Sequence, residues 1–371
     1  MKLAVLITVA TLGILQDTPA QTLPRKASVL GKMVVANNYF MKLNPDPSKP
    51  IVTDKTRPSN IWTRSVYYEG LMALYKIDPK PIYLKYAVRW ARSHQWDMPG
   101  GTATRIADNQ CCGQTYIDLY CLNHKLNRIK RIKDCIGRII ASDKIDDWWW
   151  IDALQMAMPV FAKLGKVYHD DRYFKRMYEM YSYTKQKLYN PRDGLWWRDS
   201  TFLPPYKEPN GQYCYWSRGN GWVAAALVRV LKTIPKTAVG YSDYKATYLA
   251  MMRALLTLQR KDGFWNVSLK DPEHFGGKES SGTSLFLYAM AWGVRKGWLK
   301  REAYMPAIIK AWNGLANDAL HPNGMLGYVQ GTGKQPSDGQ PVGYDHAPDF
   351  QDFAVGCFLL AGSEVYWLAP K

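Results

Sequence analysis

Apolar residues recur along this chain of 371 residues with helical period, and strand-like alternation is scarce. Six segments are strongly apolar and rich in small residues: YYEGLMALY (67–75), GQTYIDLY (113–120), IDALQMAMPVFAKLG (151–165), GNGWVAAALVRVL (219–231), SGTSLFLYAMAWGV (281–294) and FAVGCFLLAGSEVY (353–366). Each follows a more polar, amphipathic segment, at 25–43, 81–95, 129–142, 171–188, 243–260 and 303–319. A helix apolar all round is buried on every side, whereas one with a single apolar stripe lies on the outside. The alternation therefore predicts six outer–inner helical hairpins. An open solenoid satisfies the same repeat. We expect the closed form, an all-α (α/α)6 barrel, because six is the number at which such hairpins close into a ring.

Between outer and inner segments the chain repeats a turn followed by aromatics: Asp193-Gly194-Leu195-Trp196-Trp197, Asp262-Gly263-Phe264-Trp265 and Asn323-Gly324-Met325-Leu326-Gly327-Tyr328. Glycine suits the left-handed residue of such turns. In a ring these long loops, carrying Trp, Asp, Arg and Asn, gather at one end, where a cleft is expected.

Bulk properties narrow the class. Residues 1–20 read as an export signal, with Lys2, the apolar run Leu3–Leu15 and a small residue, Ala20, before Gln21. The run is too short for a membrane anchor, and no other stretch is apolar enough to span. Residues 21–371 contain no linker-like stretch and are expected to form one domain, exported to the periplasm or beyond the cell. Six cysteines without paired CxxC spacing argue against zinc and a disulfide framework, though a single Cys121–Cys135 bridge stays open. The net charge of +18 favours anionic partners. Lysines and arginines are spread along polar helix faces without a dense tract, which argues against nucleic acid. With 15 Trp and 25 Tyr, the chain is instead well supplied with flat faces on which sugar rings stack, although packing explains most of them.

Three loop-to-helix junctions concentrate candidate chemistry. Arg105 to Gly113 opens the second inner segment and contains Asp108. Asp146-Asp147-Trp148-Trp149-Trp150-Ile151-Asp152 opens the third, and Tyr215-Trp216-Ser217-Arg218-Gly219-Asn220-Gly221-Trp222 opens the fourth. A carboxyl walled by indoles loses solvation of its charged form, which raises its pKa toward the range of a proton donor. Asp108 and Asp152 also suit the role of helix caps, and that reading stands beside the chemical one. Arg218 can grip a carboxylate with two hydrogen bonds, or simply pair with a neighbouring acid.

At these residues the chain resembles a known family. The segments ADNQ (107–110), WWWIDAL (148–154), YWSRGNGW (215–222), SSGTSLFLYAMAWG (280–293) and GCFLLAGSEVY (356–366) are similar to those of the unsaturated glycuronyl hydrolases of glycoside hydrolase family 105 and, more distantly, family 88. The resemblance runs from about residue 30 to the C-terminus. It implies the (α/α)6 barrel and an enzyme that removes the 4,5-unsaturated uronic acid from the non-reducing end of lyase-generated oligosaccharides. No cofactor or metal is implied. By the same resemblance Asp152 is the general acid/base, and Asp108 is the second aspartate that orients substrate and water. Trp216, Arg218 and Trp222 match the substrate-contacting segment, and Asn220, Trp149 and Trp150 are expected beside it. Family members often carry histidine where this chain has Arg198, which implies altered specificity with unaltered chemistry.

The remaining signals are weaker. The six histidines show no metal-ligand spacing; His346 is placed where it can border the cleft. The loop Phe275–Ser281 is expected to offer backbone to the cavity, without phosphate-loop spacing. Ser217 has no histidine nearby. Two rival functions keep the same barrel: an ordinary glycosidase or lyase on acidic polysaccharide, and a non-catalytic acidic-glycan-binding protein. The expected partner is an unsaturated uronyl oligosaccharide, with neither nucleic acid nor membrane, and the expected state is a monomer or weak homo-oligomer.

Overall fold

A computed structural model describes residues 22–348 and 352–371, so the export signal expected at 1–20 lies outside the described residues. The outer helices are α1 (Lys26–Leu43), α3 (Pro81–Ser93), α6 (Lys130–Ile140), α8 (Asp171–Leu188), α10 (Tyr241–Thr257) and α12 (Arg301–Asn313). The inner helices are α2 (Trp62–Tyr75), α5 (Cys112–Leu122), α7 (Asp152–Tyr168), α9 (Ser217–Leu231), α11 (Ser280–Arg295) and α13 (Asp352–Leu368). Every expected segment is a helix. The outer segment 303–319 ends in a π-helical turn, Gly314–Ala319, and the second junction forms a separate one-turn helix, α4 (Ala107–Gln110). Among the described residues, strand is confined to two short hairpins, β1 (Ile51–Val52) with β2 (Thr56–Arg57) and β3 (Tyr189–Asn190) with β4 (Leu195–Trp196).

The contrast between rings follows from burial. In α6 the buried residues are Ile132, Cys135, Ile136 and Ile139, a single stripe at three- and four-residue steps. In α7, α9 and α11 nearly every position is buried, so only apolar or internally bonded residues fit there. Packing of α2 on α5, α5 on α7, α7 on α9, α9 on α11, α11 on α13 and α13 on α2 closes the ring. The closing contact between first and last inner helices is backbone to backbone. A Cβ on Gly70 would lie 2.5 Å from the Gly356 carbonyl oxygen, and one on Gly356 would lie 2.2 Å from that of Val66. That contact excludes the open solenoid.

The ring has a polar interior. Glu69 on α2 accepts from Gln155 Nε2 at 2.8 Å and from the Cys111 thiol at 3.3 Å, and Arg229 donates to Gln114 Oε1 at 2.7 Å. At the end of the ring formed by the inner-helix C-termini, a cavity of about 370 Å³ is lined by charges that pair among themselves. Lys163 meets Asp118 at 2.8 Å and Lys232 meets Glu364 at 2.6 Å. All six cysteines are free thiols; Cys135 is buried against the Thr104 carbonyl while Cys121 is exposed, so the Cys121–Cys135 bridge is not formed. No described helix is long and apolar enough to cross a membrane.

Candidate active site

The opposite end carries the outer-to-inner loops, and there a cleft of about 760 Å³ opens among Arg105, Asp108, Lys144, Trp149, Trp150 and Arg198. Its walls come from three loops bound to one another. Arg105 donates from Nε to Asp147 Oδ1 at 3.0 Å and from a terminal nitrogen to the Lys144 carbonyl at 3.3 Å, which holds the α4 loop against the tryptophan loop. The Ile151 amide donates to the Arg198 carbonyl at 3.0 Å, which fixes the loop after β4 beside the first turn of α7. The turn between β3 and β4 places Gly194 at φ +67°, and Gly263 and Gly324 occupy the same left-handed region in the equivalent turns, as their sequences require.

These constraints bring Asp152, Asp108 and Arg198 together. Asp152 starts α7 and is buried, with 8 % of its surface exposed. Arg198 Nε donates to Asp152 Oδ2 at 3.3 Å, while another of its nitrogens holds Asp199 Oδ2 at 2.7 Å. Asp199 in turn accepts from the Thr201 amide at 2.8 Å, so Arg198 is braced from behind. Burial raises the pKa of Asp152, with the charges of Arg198 and Arg218 opposing it. Burial, and then the charge of Asp152, pushes Asp108 up to about 7, with Arg198 again opposing. Two carboxyls so placed resist ionising together and titrate as a coupled pair that retains a proton near neutrality. Neither side chain caps its helix, since no side-chain cap bond forms at α4 or α7. Trp149, 58 % exposed, stands at the lip with Arg198 5.8 Å from its ring centre, and Trp150 lies buried beside it.

Four residues expected against substrate are buried and held by neighbouring groups of the fold. Arg218 is buried between the rings of Trp216 and Phe353 and donates to the carbonyls of Gln330 and Gly331, both at 2.7 Å. Those carbonyls occupy the two prongs assigned to a substrate carboxylate, and Arg218 acts on Asp152 through its charge. Trp216 is buried with its indole N–H on Gln330 Oε1 at 2.8 Å, and Trp222 is fully buried against Trp62 and Phe353. Asn220 is fully buried and pairs with the backbone of Trp196, accepting from its amide at 2.9 Å and donating to its carbonyl at 3.0 Å. It is thus a positioning residue: it ties β4 to α9 and thereby sets where Arg198 emerges. Ser217 is buried against Gly282, His346 is exposed, and the loop 275–281 is not among the walls of the cleft. Sequence reasoning missed the clamp by Asp147 and the brace by Asp199: Asp147 stands in the tryptophan run, but its partner Arg105 lies 42 residues away, and Asp199 stands in no distinctive pattern.

A cleft at the loop end of a closed six-hairpin ring, with two coupled acids and an arginine, is the setting in which likeness to known proteins becomes informative. The model for Glycosyl Hydrolase Family 88 matches residues 32–369. The chain belongs to glycosyl hydrolase family 88. It is therefore a glycoside hydrolase. The resemblance read from the motifs put family 105 first and family 88 second, and the matching family is described by the latter name. A curated relative, the unsaturated 3S-rhamnoglycuronyl hydrolase of Formosa agariphila, is 34% identical over 327 residues, which are 82% of this chain and 84% of that protein. A solved structure titled a glycosyl hydrolase family 88 protein from Bacteroides vulgatus is 30% identical, with a TM-score of 0.85 over 93% of this chain and 99% of that one. Another, titled a polysaccharide lyase, is 32% identical, with a TM-score of 0.84 over 92% and 98% of the two chains.

Proposed function

We propose that this enzyme removes the 4,5-unsaturated uronic acid from the non-reducing end of oligosaccharides left by polysaccharide lyases. The observation that carries the proposal is the acid pair Asp108–Asp152: Asp108 and Arg198 line the open cleft, and the buried Asp152, which is not among its walls, is in contact with Arg198. An unsaturated uronate is an enol ether, so its C4 accepts a proton directly. In this reading Asp152 gives that proton to C4, and positive charge develops on C5 and the ring oxygen. Water adds to C5 and returns its proton to Asp152. The C5 hemiketal then opens to a ketone, and the hemiacetal left at C1 breaks down to an aldehyde as the neighbouring sugar leaves with its hydroxyl. A single acid–base group thus serves both steps, and the two-carboxyl spacings of retaining and inverting glycosidases are not needed.

Arg198 has two partners in turn. Before substrate arrives it stabilises the ionised form of Asp152; the substrate carboxylate then draws the guanidinium away, and Asp152, now buried beside Asp108 without its cation, takes up a proton. Trp149 stacks on the sugar at the lip, and the buried Trp150 backs it in the cleft wall. The name of the Formosa relative supports rhamnose as the neighbouring sugar, and the export-like residues 1–20 support action outside the cytoplasm.

The test is to add the protein to lyase digests of several acidic polysaccharides and follow the ultraviolet absorbance of the double bond. The proposal expects the absorbance to fall and a single sugar to be freed, and Asp152→Asn to abolish the fall while leaving binding nearly intact. The structure titled a polysaccharide lyase favours a second reading, in which intact polymer is the substrate and the absorbance rises. The direction of the change separates the two.

A further inference from the structure

Two loops beside the cleft meet at a cluster that the proposed reaction does not use. Residues 215–217 before and at the start of α9 run antiparallel to 267–269 before α11: Ser217 N donates to the Val267 carbonyl at 2.9 Å and Leu269 N to the Tyr215 carbonyl at 3.0 Å. Beyond this pairing the Asn210 amide reaches Asp271 Oδ2 at 3.1 Å, and the Asn210 side chain reaches the Lys270 carbonyl at 2.9 Å. Here Glu208, Asp271 and His274 present one ligand atom each, all within 4.8 Å of one another. Glu208 is 3 % exposed and Asp271 1 %, although their types are seldom fully buried without strong partners.

The decisive atom is on Glu208. Its Oε2 meets His274 Nδ1 at 2.5 Å, whereas its buried Oε1 has no nitrogen or oxygen donor among the described residues, and the thiol of Cys214 is the weak donor that faces the Glu208 carboxylate. A thiol is a weak donor for a buried carboxylate, and a cation is the stronger partner, one that satisfies both oxygens and the imidazole at once. Asp271 adds oxygens held by backbone amides at 3.1 to 3.3 Å, the outer support that orients a metal-binding carboxylate. The His274 side chain is 31% exposed, which leaves an entry route.

We propose that Glu208, Asp271 and His274 bind one divalent cation of the zinc–manganese class, which staples the loop before α9 to the loop before α11. Two carboxylates with an imidazole suit those ions, whereas calcium prefers an all-oxygen set. The cluster makes no hydrogen bond to Asp108, Asp152 or Arg198 among the described residues, so the ion's task is structural: it holds the loops from which Tyr215 and Trp216 lead into α9.

The test uses the full chain dialysed against chelator, then titrated separately with Zn²⁺, Mn²⁺ and Ca²⁺. Elemental analysis gives the ion count, and thermal unfolding reports stabilisation. The expected result is one Zn²⁺ or Mn²⁺ per chain and a higher Tm on adding either. His274→Gln, at a partly exposed position that the fold tolerates, should weaken binding by about 100-fold and abolish the Tm rise. Glu208→Gln should do the same, while His124→Gln, at an exposed site far along the chain, should change neither. Retention of no ion, binding of Ca²⁺ alone, or stoichiometric binding that His274→Gln leaves intact overturns the proposal.

Discussion

Removing the Arg198 guanidinium should move the pH profile of the enzyme in a direction that the geometry dictates. Arg198 Nε lies 3.3 Å from Asp152 Oδ2, with the two side chains 14% and 12% exposed. At an effective dielectric constant of ~20, a unit pair at that separation is worth about 5 kcal/mol. Residual water and the brace from Asp199 reduce this, and about 2 kcal/mol is a reasonable working value, or roughly 1.5 pH units. Arg198 opposes the rise in both Asp152 and Asp108, so its loss raises both. If Asp152 must carry a proton to act, activity is lost as pH rises through its pKa, and the alkaline limb of kcat/KM in Arg198→Ala should shift upward by about 1 to 2 units. The same variant should lose about 10- to 100-fold in kcat/KM at the optimum, through the missing substrate contact. The assay is loss of double-bond absorbance on an unsaturated disaccharide from about pH 4 to about pH 9. An alkaline limb that stays in place, or moves toward acid, refutes the pairing of Arg198 with the catalytic proton.

Three further outcomes follow from other contacts. In Asp108→Asn the acid that burial and the charge of Asp152 hold up at about 7 is gone, so an alkaline limb set by the pair should move down, opposite to Arg198→Ala. Because the folded pKa of Asp108 is raised, its stabilising contribution is intact below the unfolded value and is lost as pH rises toward about 7. Asp108→Asn should therefore raise Tm above the parent at pH 7.5, by about 1 to 3 kcal/mol in stability, and match it near pH 4, which paired thermal melts at the two pH values would show. Asn220→Ala leaves the Trp196 amide and carbonyl unpaired in a buried site; we expect a loss of about 2 to 4 kcal/mol in denaturant unfolding and a fall in kcat, and unchanged kcat in a folded variant would remove its positioning role. Gly356→Ala forces a methyl group to within 2.2 Å of the Val66 carbonyl oxygen, so it should cost about 3 kcal/mol or more, whereas Gly137→Ala, with nothing within 4 Å, should be neutral or stabilising.

The helical alternation was legible from the chain alone because burial on one face or on all faces is a constraint each helix carries locally. The single stripe of α6 and the unbroken apolar run of α11 each announce their layer without reference to any other element. The left-handed turns at Gly194, Gly263 and Gly324 were legible for the same reason, since one residue type decides the backbone there. Ring closure was different: it rests on Gly70 and Gly356 meeting across the whole length of the chain. The site divided in the same way. Asp152 stood out by its indole-rich surroundings and Asp108 by its place at a loop-to-helix junction, but the cation that controls Asp152 comes from a loop 46 residues away. Arg218, Trp216 and Asn220 looked like contacts for a sugar because their polar and aromatic groups stand at a helix mouth. Only the folded chain shows the Gln330, Gly331 and Trp196 groups that occupy them. A side chain's type and local period are written in the sequence; whether its donors face a ligand or a neighbouring backbone depends on which distant loop the ring brings against it.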